Sequence, residues 1–93
     1  MAVKENDIVT MKLVSGDEVV AKLVEVWEGR AYVVTKPHGV MLDKQGFGLI
    51  PWVLTADPNA QFEIAQTAVA AITKTFDAVK AEYIKQTTGL IVR

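Results

Sequence analysis

Apolar and polar positions alternate with a period of two along the first third of the chain. In residues 8–14, Val9, Met11 and Leu13 share one face, and Thr10 and Lys12 take the other. Ser15-Gly16-Asp17 interrupts the pattern, residues 18–27 resume it, Glu28-Gly29 breaks it again, and Arg30-Ala31-Tyr32-Val33-Val34-Thr35 follows. Three runs rich in β-branched residues joined by short glycine-bearing turns predict antiparallel hairpin steps, because glycine reaches the positive φ that tight turns require. In the second run the polar positions change parity, from even at Lys22 to odd at Glu25. A one-residue slip moves every side chain to the opposite face. This strand must therefore bend or bulge close to the small Ala21. Long bent strands suit small closed barrels, in which one strand belongs to both walls.

Further along, Pro37 and Gly39 punctuate the third run, and residues 40–43 return or extend it. Lys44-Gln45-Gly46 turns the chain into a fourth run, whose Gly48 and Pro51 mark an irregular edge. Residues 55–60 read as a loop. From Gln61 two readings compete. One is a single helix over 58–86, with Asp57 as N-cap and Pro58 at its first position; it would be about 40 Å long, longer than so small a domain is wide. The other, which we prefer partly on size and partly on the resemblance given below, resumes a strand at Phe62-Glu63-Ile64 and turns at Ala65-Gln66-Thr67. It then adds a strand at 68–73 and starts a short helix with Thr75 as N-cap. The stripe of that helix is Phe76, Val79 and Tyr83, Asp77 and Lys85 match its dipole, and Gly89 stops it. The expected architecture is mostly β: a small, strongly bent, five-stranded antiparallel barrel with a C-terminal α-helix, in one domain over 1–93. The strands fall at about 7–14, 18–27, 30–43, 47–64 and 68–73 and the helix at about 75–87.

Composition changes this picture in one respect. Half of the 93 residues are apolar (51%), and a chain of this length buries only about two-thirds of its unfolded surface. Self-association is the simplest way to cover the excess. Ten basic against eleven acidic residues give none of the basic surplus that a general nucleic-acid binder carries. With no cysteine there is neither a disulfide nor a thiolate metal site, which fits a cytoplasmic protein. The first seven residues are too polar for a signal peptide, and no apolar run reaches the roughly twenty residues of a membrane span.

Residues 11–26, with an apolar run, a glycine turn and an apolar strand bent near a small residue, resemble the first motif of the Sm-like (LSm and Hfq-type) family. Residues 64–72, with an apolar residue, a tight turn and an apolar strand, resemble the shape of its second motif. The compact, helix-ended form is most similar to small Sm-like proteins of phage type. The resemblance spans about residues 8–73. It implies cyclic homo-oligomers of roughly five to seven subunits, each pairing its fourth strand with a neighbour's fifth, and single-stranded RNA bound near a central pore by two loops. Here those loops are Trp27-Glu28-Gly29-Arg30-Ala31 and Ala65-Gln66. The first lacks the family's Asp and Asn, and the second lacks its Arg-Gly or Lys-His. The implied RNA contact is therefore weak, and a scaffold that binds other proteins is the alternative.

The candidate RNA-binding residues are Trp27, Arg30, Gln66 and Thr67. Trp27 and Arg30 flank a turn as a stacking aromatic beside a phosphate-pairing guanidinium, or else pack as a barrel-end tryptophan with a solvated arginine. Gln66 and Thr67 could meet a base edge or serve as turn residues. Trp52 and Phe47, on the presumed edge strand, suit either a subunit contact or the core. His38 reads as an exposed loop residue, with too few acidic neighbours to make a metal site. Ser15-Gly16-Asp17 is a turn rather than a nucleophile motif, and Gly46-x-Gly48 has neither the spacing nor the helix of a phosphate loop. No acid pair stands out for proton transfer. The expectation is a non-enzymatic protein with no metal and no cofactor.

Overall fold

The computed structural model describes residues 2–88. Six strands, β1 (Ile8–Leu13), β2 (Glu18–Trp27), β3 (Ala31–Asp43), β4 (Gly46–Pro51), β5 (Gln61–Ala65) and β6 (Val69–Lys74), precede one helix, α1 (Asp77–Thr88). All pairings are antiparallel, in the order β4-β3-β2-β1-β6, with β5 also paired to β3. The broken reading of 61–86 holds: a strand, a 3₁₀ turn over Gln66–Ala68, a second strand and a helix.

Two expectations are corrected. The run at 47–64 is two strands, β4 against the distal half of β3 and β5 against its proximal half, so the sheet has six strands rather than five. Pro51 lacks the donor to continue a ladder, and residues 52–60 leave the sheet. There the Asp57 carboxylate accepts from the Asn59 amide at 2.9 Å in a local turn. The sheet is also open: among the described residues β4 and β5 pair only with β3, and β6 only with β1.

The turns follow their glycines. Gly16 and Gly29 both have positive φ, and the Arg30 amide donates to the Trp27 carbonyl at 2.9 Å to close the β2–β3 turn. Ser15-Gly16-Asp17 is the β1–β2 turn, as its composition predicts. The parity change in β2 is a bulge: Leu23 faces Val34 and Glu25 faces Val33, which leaves Val24 as the extra residue. A second irregularity lies one step earlier and sits in β3. Val20 faces His38 and Lys22 faces Thr35, so Lys36 and Pro37 oppose the single Ala21. Lys36 takes φ +49°, a left-handed conformation that costs a side-chain-bearing residue about 1–2 kcal/mol.

The bent β2 is buried on both faces. Val19, Ala21 and Leu23 point into the larger cluster with Val9, Met11, Leu13, Val34 and Ile64. Val20 points the other way, into a smaller cluster with Leu49 and the helical Val79 and Tyr83. Of the expected helix stripe, Val79 and Tyr83 are buried, whereas Phe76 is 69% exposed. Thr75 is not the N-cap. It is buried, its hydroxyl pairs with that of Thr10 at 2.8 Å, and the Phe76 carbonyl accepts the first amides of the helix. Asp77 and Lys85 occupy the first and last turns, as the dipole favours. The expected stop at Gly89 lies outside the described residues.

Candidate functional site

The β2–β3 turn and the 3₁₀ turn before β6 lie more than thirty residues apart in sequence, and the fold brings them together at one end of the sheet. Pairing of β5 with proximal β3 sets Ala65 opposite Ala31. The Gln66 amide then donates to the Arg30 carbonyl at 3.0 Å. The Gln66 side chain completes the junction: its Oε1 accepts from the Gly29 amide at 3.2 Å, and its Nε2 donates to the Trp27 carbonyl at 3.2 Å. Each end of the carboxamide makes one bond to the neighbouring turn, so Gln66 acts here as a clamp.

Arg30 lies over the indole of Trp27, with Cζ 4.8 Å from the ring centroid, a cation–π contact worth about 0.5–1 kcal/mol at an exposed site. Its other partner is Glu63, at 3.9 Å, with the two side chains 72% and 56% exposed. Such a pair contributes about 0–1 kcal/mol and weakens with salt, so Arg30 can leave Glu63 at little cost. Glu63 is nonetheless a negative charge where an RNA phosphate would come. Thr67 is exposed in the same 3₁₀ turn. Three of the four predicted residues thus form one connected group, with Thr67 at its margin. Glu63 was missed because only the β3–β5 register puts it beside Arg30.

The two edge aromatics separate. Trp52 packs against the larger cluster, and its amide donates to the Pro37 carbonyl at 2.9 Å, whereas Phe47 stays exposed.

His38 is not the exposed loop residue the sequence suggested. It is half-buried within β3, its Nδ1 pairs with the Lys36 carbonyl at 2.8 Å, and its ring meets that of Tyr83 edge-on at 5.5 Å. Tyr83 sits at the β3 bulge. Its hydroxyl accepts from the Lys22 amide at 3.1 Å and lies 3.1 Å and 2.9 Å from the Thr35 and Lys36 carbonyls. The phenol thus adds a side-chain partner to backbone groups that flank the bulge. Burial pushes its pKa up to about 12, partly offset by the Lys22 amide. Sequence reasoning assigned Tyr83 to the apolar stripe and missed its hydroxyl. The signal available was a tyrosine at a core position, since a buried phenol needs a hydrogen-bond partner.

Among the described residues there is no group of three or more His, Asp or Glu side chains placed to hold a metal ion, and no helix is long and apolar enough to cross a membrane. No protein-family model matches the chain, and no curated protein sequence matches it.

Proposed function

We propose that this chain is a non-enzymatic, Sm-like subunit that works as a cyclic assembly of copies of itself, and that the assembly serves as a scaffold for other macromolecules. The observation that carries the reading is a pair of sheet edges with no further strand partner among the described residues. On one side stand β4 and β5, on the other β6. Exposed edges invite pairing with another chain unless charge or a covering element blunts them, and β4 (Gly-Phe-Gly-Leu-Ile-Pro) carries no charge at all. Around it Leu42 is 82% exposed and Leu54 80%, with Met41, Phe47 and Ile50 also at the surface. The β6 edge exposes the small Ala70 and Ala71, over which a partner strand can approach closely. Unlike edges joined head to tail give a ring whenever the rotation closes. The Sm-like resemblance of residues 8–73 supplies the expectation of roughly five to seven subunits.

Contact with single-stranded RNA is the second reading, favoured by the exposed guanidinium of Arg30 over Trp27. Against a strong contact stand Glu63 beside Arg30 and the committed carboxamide of Gln66.

Light scattering after size-exclusion chromatography tests the assembly. The expected mass is a fixed multiple of the 10.2 kDa chain, reduced by Phe47→Asp at the β4 edge. A stable monomer at tens of micromolar overturns it. Fluorescence titration with short uridine- and adenine-rich RNA at low salt, where phosphate contacts are strongest, tests the second reading; no signal removes it.

A further inference from the structure

We infer that α1 is a latched strap, able to open as one unit while the β-sheet stays folded, with the Tyr83 hydroxyl as its latch. The inference does not depend on the assembly or on RNA.

The interior divides in two. Among the described residues the larger cluster has nine buried members, from Val3, β1, β2, β3 and β5, and no residue of α1 belongs to it or packs against it. Among the described residues the smaller cluster has four, of which α1 supplies two, Val79 and Tyr83, with Ile84 packed against them. Lifting α1 therefore removes half of the second cluster and leaves the first complete. Elements that bury few apolar contacts open at free energies below that of global unfolding.

Alongside the apolar contacts of Val79, Tyr83 and Ile84, polar contacts hold α1 down, and they are concentrated toward its C-terminal half. Besides the Tyr83 hydroxyl at the bulge, Lys36 Nζ donates to the Thr87 carbonyl at 3.2 Å and Gln86 Nε2 donates to the Leu49 carbonyl at 3.1 Å. At the other end Thr75 ties the chain to β1 through Thr10 and through its amide to the Ile8 carbonyl. The bulge accounts for both closing and opening. With α1 seated, the phenol accepts from the Lys22 amide and its one proton lies within reach of the Lys36 and Thr35 carbonyls. With α1 lifted, water reaches them, so opening leaves no orphaned polar group. A helix seated without the hydroxyl would take that acceptor from the Lys22 amide, which shifts the balance toward the open form. Opening enlarges a groove that already runs beside the helix. That groove, of about 790 Å³, has Val20, Val40, Phe47 and Val79 in its walls together with the charged Lys12, Asp17, Glu18 and Lys74.

Amide hydrogen exchange on the full chain tests this, with wild type and Tyr83→Phe at one pH and one protomer concentration. In the wild type the amides of α1 should open more readily than those of Met11 and Leu23. Tyr83→Phe should speed exchange in α1 and at Lys22 by roughly 10- to 100-fold, the range given by one or two lost buried hydrogen bonds, and leave Met11 and Leu23 within about 2-fold. Should Tyr83→Phe fail to fold, Gln86→Ala carries the same test with an expected rise of roughly 3-fold confined to α1. The inference is overturned if α1 and the Met11–Leu23 set exchange with one common opening free energy, or if the variant accelerates both sets equally.

Discussion

Gln66→Ala tests the junction at the end of the sheet. The substitution removes two hydrogen bonds, each 3.2 Å long, from the Gly29 amide and to the Trp27 carbonyl. A neutral hydrogen bond contributes about 0.5–1.5 kcal/mol net. Because Gly29 is exposed and water replaces part of what is lost, about 1–2 kcal/mol in total is expected. For a domain of this size that lowers Tm by about 4–16 °C. The backbone bond from Gln66 to Arg30 survives in the variant, so the turns loosen without separating. Urea and thermal unfolding give the stability, at fixed protomer concentration because any assembly couples to it. Trp27 emission, read in a Trp52→Phe background, reports the turn itself and should shift toward that of a solvated indole. Gln66→Glu sharpens the test. At neutral pH its carboxylate keeps the bond from Gly29 but faces the Trp27 carbonyl with an acceptor where a donor stood. It should be at least as unstable as Gln66→Ala there, and it should recover part of the loss below about pH 4, where the acid regains a proton to donate. A Gln66→Ala variant that melts within about 2 °C of wild type, with Trp27 emission unchanged, would refute the clamp.

Three further outcomes follow from named contacts. Burial holds the Tyr83 phenol protonated up to about 12 against an ordinary 10.0. Its contribution is thus fully present below about pH 10 and is lost as pH rises through about 12, by up to about 2–3 kcal/mol. Lys22, Lys36 and His38 surround it, so the difference in tyrosinate absorbance and helix content between wild type and Tyr83→Phe isolates it. A Tyr83 that titrates at its ordinary value refutes the burial argument. Leu23→Ala empties a fully buried position in the larger cluster and should cost about 2–4 kcal/mol in a urea melt; a loss below about 1 kcal/mol would mean that this cluster is not the main core. A double-mutant cycle on Arg30→Ala and Glu63→Ala should give a coupling of about 0.2–1 kcal/mol that fades with salt, whereas a larger, salt-insensitive value would contradict the exposed geometry.

The strand content was legible wherever one face is buried and the other is wet. Val9, Met11 and Leu13 against Thr10 and Lys12 announce β1, and Gly16 and Gly29 mark the turns where positive φ is needed. The parity break between Lys22 and Glu25 brackets the bulge in β2, whose extra residue, Val24, lies three positions beyond Ala21, near which the sequence predicts a bend or bulge. The bulge in β3 left no such mark. Lys36 holds a left-handed backbone that its residue type disfavours, and its contacts include ones with Tyr83 and Thr87 that are distant in sequence. Similarly, the split between β4 and β5 depends on which half of β3 each can reach.

At the candidate site the residue types pointed to the two turns, but their roles came from the fold. Gln66 looks the same in sequence whether it reads a base or clamps a turn. Local pattern sets which residues prefer strand, turn or helix, since those preferences depend on neighbours a few positions away. Tertiary structure alone decides which polar atoms remain available, because a hydrogen-bonding group is free or spent according to what the rest of the chain places within about 3 Å of it.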